Sequence, residues 1–295
     1  MKKNFCLVIF LLLFPLLCFA QTDFHFSLAP RISFTVGELT ELLYTDNEIV
    51  SQLDWEQKPL LNLGLNASAG YKNFFISADF DYCLPAGTSY MYDSDWEGDE
   101  KYSLTKHPIE SSKNIDTALT LSYQIPVSRI ISIIPALQFN YLFNDFEAGI
   151  GSGVRHGRNI RVYGIDYRRH SFFIFTGTAV KVQPFSKLFI QADFMLAPWN
   201  YQLSFDYHHG VKNPFSTKDI QFGFFSKYKA GLTTGIILDK NISLQIFTQL
   251  LFGFPDKGPI YTDYCSTTME KSPCQKSGAA THSLKSGLAV KFSLK

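Results

Sequence analysis

Along most of this chain, apolar and polar residues alternate with a period of two. That spacing marks a strand with one apolar and one polar face. Residues 73–84 show it most plainly. Phe74, Ile76, Ala78, Phe80, Tyr82 and Leu84 share one face, and Phe75, Ser77, Asp79, Asp81 and Cys83 share the other. Similar alternation runs through 24–36, 60–71, 114–125, 131–144 and 284–295, and with weaker contrast through 170–182, 188–208, 221–238 and 242–252. Short connections fall at Tyr71–Asn73, Pro126–Arg129, Gln183–Ser186 and Asp239–Asn241, and long polar ones near 93–113, 148–168, 209–220 and 253–282. Ten strands joined by alternately short and long connections predict an all-β fold. The form expected is a single ten-stranded antiparallel transmembrane up-and-down β-barrel with long extracellular loops.

Composition sharpens this picture. The chain holds 28 Phe and 15 Tyr, and only 18% of its residues are charged. That is apolar for a secreted soluble protein, and it suits a surface that meets lipid at alternate positions. No apolar run after residue 20 is long enough to span as a helix. At the start, Lys2 and Lys3 precede an apolar run from Phe5 to Leu17 and then Cys18-Phe19-Ala20. Residues 1–20 are therefore expected to be a signal peptide, leaving 21–295 as one barrel domain. A lipoprotein role for Cys18 is the weaker reading. The net charge of +1 argues against an electrostatic nucleic-acid binder. Cys265 and Cys274 lie in one polar stretch where a loop disulfide is plausible, and Cys83 is expected to be a buried barrel residue.

Two constellations carry candidate chemistry. If the parity of 73–84 continues, Asp93 and Asp95 point into the lumen, roughly 7 Å apart along the strand. Like charges so placed repel, which raises one pKa and leaves a poised acid or base. The bland alternative is a solvated acidic loop. Further on, the polar parity is odd at Gln191 and Asp193 but even at Gln202, Ser204, Asp206 and His208. One extra residue near Pro198 explains the switch, and bulges favour barrel rims and active sites. It sets Asp206 beside His208, where a carboxylate can orient an imidazole and stabilise its cation. An exposed polar rim and a metal site of Asp206, His208 and His209 are the alternatives, the latter disfavoured because His208 and His209 point to opposite faces. No Ser lies in a Gly-x-Ser-x-Gly context, and Gly149–Gly153 joins no strand to a helix. The basic stretch from Arg155 to Arg169 is a solvated loop or a contact for anionic lipid head groups.

Four passages, in order, resemble the omptin family of ten-stranded outer-membrane proteases. Gly37-Glu38-Leu39-Thr40-Glu41-Leu42-Leu43-Tyr44 is similar to the family's Gly-x-x-x-Glu-x-x-Tyr. Ser51-Gln52-Leu53-Asp54-Trp55 is similar to its Ser-x-Leu-x-Trp. Asp93-Ser94-Asp95-Trp96 resembles its Asp-x-Asp-Trp, followed by His107-Pro108, and Asp206-Tyr207-His208 resembles its Asp-x-His. The resemblance implies that Asp93 and Asp95 hold a water on one side of a groove, with the Asp206/His208 dyad opposite. The water attacks the peptide carbonyl by general acid–base catalysis, with no covalent intermediate, metal or cofactor. Family members use acidic groups to select basic residues at the cut. Glu41 matches one of these, but the second acid's position is Ser204 here. The connection between Trp96 and His107 is shorter than in typical members. The fifth strand, Phe139 to Asn144, lacks the family's lipopolysaccharide-binding Arg.

The resemblance thus implies an endopeptidase in the outer membrane, its active site facing outward, acting on polypeptides at the cell surface and contacting outer-membrane lipid. Two other readings stand beside it. One is a catalytically idle barrel acting as an adhesin or binding protein, motivated by Ser204 and the shortened loop. The other is a pore, although a ten-stranded lumen is narrow and expected to be filled by side chains.

Overall fold

The structure, a computed structural model, describes residues 24–84, 89–209, 214–263 and 268–294, without the side chains of 273 and 274. The expected signal peptide at residues 1–20 lies outside the described residues, as does the expected pairing of Cys265 with Cys274. The described residues are almost entirely strand and form one antiparallel sheet. In chain order the strands are β1 (Phe24–Thr45), β2 (Glu48–Tyr71), β3 (Phe74–Cys83), β4 (Tyr90–Glu97), β5 (Glu100–Tyr123), β6 (Ile125–Pro126), β7 (Ile131–Ala148) and β8 (Gly151–Arg155). They continue as β9 (Arg158–Val162), β10 (Ile165–Phe185), β11 (Leu188–His208), β12 (Phe215–Gly223), β13 (Lys227–Ile237), β14 (Ile242–Gly253), β15 (Asp256–Thr262) and β16 (Glu270–Leu294).

These sixteen pieces make ten staves. Five staves are interrupted: β3 continues as β4, β7 as β8, β9 as β10, β12 as β13 and β14 as β15, while the two-residue β6 only flanks β7. The lower ring runs β1-β2-β3-β5-β7-β10-β11-β13-β14-β16 and closes where β16 pairs with β1 from Phe26↔Leu294 to Thr45↔Gln275. Closure removes the unpaired edges that lipid cannot satisfy.

The alternation does what it predicts. Phe34, Leu63, Phe80, Leu119, Phe139, Phe194, Leu232, Ile246 and Leu288 face outward and remain exposed, forming the lipid-facing band. Above that band, outward positions become charged at Lys58, Lys106, Arg168 and Lys257, which marks the end of the lipid-facing region. Inside, Arg31 donates to Asp79 at 2.6 Å and to Asp81 at 2.7 Å, and Lys285 bridges Asp81 and Asp116. Lys229 donates to Gln138 at 2.8 Å. Lys285 reaches from β16 to β5 and Lys229 from β13 to β7, so the side chains close the lumen at mid-height, against the pore reading.

The expected long loops are a point of difference. Much of what lies above the band is strand: β1 and β2 rise together to a tight turn at Asp46 and Asn47, and β4 and β5 rise to Gly98. The physical reason is that the alternation does not stop at the membrane. Ser103, Thr105 and His107 remain inward and buried, while Leu104 and Lys106 remain outward.

Candidate active site

The raised wall of strands holds a groove of about 660 Å³. Beneath it lies an apolar floor of Leu39, Leu53, Trp55, Met91, Ile109, Phe146, Ile165 and Tyr167. Trp55 is fully buried and stacks between Tyr167 (5.1 Å) and Phe146 (5.6 Å). The Trp of the Ser-x-Leu-x-Trp passage therefore supports the groove from below. His107 is also buried. Its ring nitrogens lie 3.0 Å from Thr105 Oγ1 and 3.0 Å from the Gly149 carbonyl. Gly151 lies against that ring, so closely that a Cβ would come within 2.5 Å of it.

Asp93 and Asp95 stand on β4, paired with Leu53 and Ser51 of β2 and with Thr105 and Ser103 of β5. They share one face and line the groove, as parity predicts. Burial and the neighbouring Asp95 charge push Asp93 up to about 7, against a smaller opposing effect of Arg155. Arg155, from β8, places its guanidinium 3.7 Å from Asp95.

Asp206 and His208 line the same groove from β11. The expected bulge is present. Ile174 pairs with Trp199 and Thr176 with Leu196, so Ala197 and Pro198 together face the single residue Phe175. The extra residue turns Asp206 inward. Burial, with the charges of His209 and His107, pushes His208 down to about 4, so the imidazole is neutral at neutral pH. Its ring stacks on Phe215 at 4.2 Å.

Two details of the geometry go beyond what the motifs specify. Among the described residues no hydrogen bond joins Asp206 to His208. Asp206 instead accepts from Thr217 at 2.7 Å and faces Glu41 and Asp219. Carboxylate oxygens of Glu41, Asp206 and Asp219 lie within 4.8 Å of one another. Ser204 does not line the groove as a binding group. It is buried, with its hydroxyl 3.2 Å from that of Tyr167. Its cross-strand neighbour on β12 is Asp219, which does line the groove. The small Ser side chain leaves room for the carboxylate opposite.

Burial raises all three acids of this cluster, and their mutual repulsion adds to it. Glu41 is pushed up to about 8, and Asp206 and Asp219 rise well above the carboxylate range. Beyond contacts within the cluster itself, Glu41 Oε2, Asp206 Oδ1 and both Asp219 oxygens have no hydrogen-bond partner among the described residues. Arg169, fully buried, opposes the rise. It is anchored by the carbonyls of Thr40 (2.9 Å) and Ala280 (2.8 Å) and by the Tyr167 hydroxyl. Three close carboxylates of this kind could hold a cationic side chain or a metal ion. Asp219, Arg155 and Arg169 were not singled out by the motifs. Asp219 lies in a stretch of weak alternation, and only the β11–β12 register shows what it faces.

The model of the omptin family matches residues 22–246. Among solved structures, the outer membrane protease OmpT from Escherichia coli superposes with a TM-score of 0.81 at 14% identity, covering 92% of this chain and 97% of that one. The outer membrane protein OprG from Pseudomonas aeruginosa gives 0.40 at 9% identity, over 92% and 97% of the two chains. The translocator domain of the autotransporter NalP from Neisseria meningitidis gives 0.39 at 8% identity, over 99% and 95%. A search of curated proteins finds no match. With the family model spanning most of its length and the ten-stave barrel beneath the groove, this chain belongs to the omptin family of outer-membrane proteases.

Proposed function

We propose that the protein is an outer-membrane endopeptidase, its groove open to the cell exterior, that cuts polypeptides beside a basic residue. One observation carries the reading: Asp93, Asp95, Asp206, His208, Glu41 and Asp219 all line one groove above the lipid band. Asp93 and Asp95 hold the water. Its oxygen bonds to the peptide carbonyl carbon, and neutral His208 takes the proton released. His208 then gives that proton to the departing amine as the carbon–nitrogen bond breaks, leaving a carboxylic acid and a free amine, and in neutral water the acid's remaining proton passes to the amine. A base must be unprotonated before the step, and the lowered His208 meets that condition.

Glu41 and Asp219 receive the basic side chain. A guanidinium or ammonium entering the cluster favours the charged carboxylates and discharges their protons. Asp206 then becomes a carboxylate two residues from His208, able to stabilise the imidazolium during the step. The substrate's own cation thus completes the charge arrangement of the groove. The idle-barrel reading has one observation in its favour, the missing Asp206–His208 hydrogen bond.

The test is cleavage of a quenched peptide library by the refolded barrel beside Asp95→Asn and Asp206→Asn. Wild type is expected to cut at Arg or Lys, and each variant to lose roughly 10²–10⁴-fold in kcat/KM, the range for a positioned acid or base. Wild type inert in several lipids would reject the protease reading and favour the idle barrel.

A further inference from the structure

The β10–β11 ladder ends at Ile165↔His208, and the last backbone bond beyond it runs from the His209 N–H to the Gly164 carbonyl at 3.1 Å. The stave of β10 nevertheless extends past this point as β9, whose described pairing is with β8 alone. Among the described residues β9 is therefore an edge strand, and it stands directly beyond the end of the ladder that carries His208. Three consecutive residues of β9, Ile160, Arg161 and Val162, line the groove, followed by Tyr163 and Gly164 between β9 and β10. Side chains of a strand alternate between faces, so consecutive residues of both parities meet a cavity only where the strand presents its edge.

The hairpin fixes which backbone groups face that edge. His156 (φ 47°) and Gly157 (φ 74°) form a two-residue turn of the primed type. The flanking pair Arg155↔Arg158 is then hydrogen-bonded, as are Gly153↔Ile160 and Gly151↔Val162. The N–H and C=O groups of Asn159 and Arg161 point the other way, and none of the hydrogen bonds described uses them. Edge strands commonly carry charged side chains that discourage chance pairing, as Arg158 and Arg161 do here.

We infer that the polypeptide substrate binds as an added β-strand on the free edge of β9, pairing with the backbone of Asn159 and Arg161 and continuing the sheet where β11 stops at His208. The occupant is an extended, unfolded peptide. Main-chain bonds hold it whatever its sequence, and the acid cluster of Glu41 and Asp219 selects one side chain. This rests on the proteolytic reading of the groove and adds how the substrate chain is aligned in it.

Two measurements test the inference. The first is a backbone N-methyl scan of a cleaved peptide. Methylation at alternate residues on one side of the cut is expected to lower kcat/KM at least about tenfold, the worth of a hydrogen bond or two, while the intervening residues tolerate it. Equal tolerance at both parities would overturn the docking. The second compares Arg161→Pro with Arg161→Ala. Proline removes the edge-facing N–H but leaves the β8–β9 bonds, a position where edge strands accept it. Binding of a fluorescent extended peptide, followed by polarisation, is expected to be about tenfold weaker in Arg161→Pro than in Arg161→Ala.

Because binding is read without cleavage, the two ideas fail separately. A wild type that binds with this proline sensitivity but never cuts sinks the proteolysis and keeps the docking. Cleavage with indistinguishable Pro and Ala variants sinks the docking and keeps the proteolysis. A wild type that neither binds nor cuts rejects both. A concentration-dependent dimer abolished by Arg161→Pro would show the edge pairing with a second copy of the chain, and would also overturn the inference.

Discussion

At the scale of single residues, the arrangement turns on where one carboxylate sits. Ser204 occupies the position of the family's second acid, and the register of β11 with β12 puts Asp219 directly across from it. In the proposed reading, the pocket for the cationic side chain takes its second carboxylate from the neighbouring strand. Asp219→Ser is expected to raise KM for an Arg substrate roughly 10–100-fold, the worth of a charge-assisted hydrogen bond. Adding Ser204→Asp to that variant should restore most of the loss, because cross-strand neighbours reach the same space. If the double variant is no better than Asp219→Ser, the two positions are not equivalent. A pH dependence follows from Glu41, raised to about 8 by burial and by Asp219. Its carboxyl is protonated below that value, and a cationic side chain must displace the proton. KM for an Arg substrate should therefore rise as pH falls from 8 to 6, by up to about tenfold per unit for one linked proton. A neutral substrate residue should show no such slope. The sequence displayed Asp93, Asp95, Glu41, Asp206 and His208, because parity and the short motifs fix their direction. It did not display Asp219 or Arg169, whose roles depend on strand register and on carbonyls far along the chain.

At the scale of elements, one bulge decides which way the second half of β11 faces. Two residues, Ala197 and Pro198, stand against Phe175 alone, and the change of polar parity around Pro198 made this legible in advance. Deleting Pro198 removes the extra residue and turns 199–208 over, because a one-residue slip exchanges the two faces of a strand. Cleavage by the refolded variant is expected to fall to the level of Asp206→Asn while the β-type circular dichroism persists. Wild-type activity would contradict the bulge's role. The hairpins above the membrane were less legible. Their alternation is carried by Ser, Thr, His and Lys rather than by Phe and Leu, so it resembles a polar loop until the pairing of β4 with β5 is seen. Trp55 illustrates the same limit: the motif marked it, but only the stack with Tyr167 and Phe146 shows that it is the floor of the groove. Trp55→Ala is expected to destabilise the barrel by about 3–5 kcal/mol, the cost of emptying a large aromatic site, as followed by thermal unfolding in detergent.

At the scale of the whole molecule, the barrel divides by height. A lipid-facing band surrounds a lumen filled by ion pairs among Arg31, Asp79, Asp81, Asp116 and Lys285. Above it the apolar layer around Trp55 closes the floor, and the groove opens on top. The ten staves were legible because lipid demands a strict alternation, and so narrow a lumen was expected to be filled by side chains; which charges pair was not legible, because their partners lie on distant strands. Joining the barrel to a planar bilayer should give no steady conductance, and a sustained open current would contradict the filled lumen. The proposed mechanism makes the two walls of the groove one catalytic unit, Asp95 from β4 and His208 from β11. The most direct test is a double-mutant cycle on kcat/KM with Asp95→Asn, His208→Gln and the two combined, in barrels refolded in the same lipid. Residues that act on one water lose activity together, so the double variant should be no worse than the poorer single variant. Losses that multiply, or single variants that still cut at the wild-type rate, would contradict a shared water between the walls.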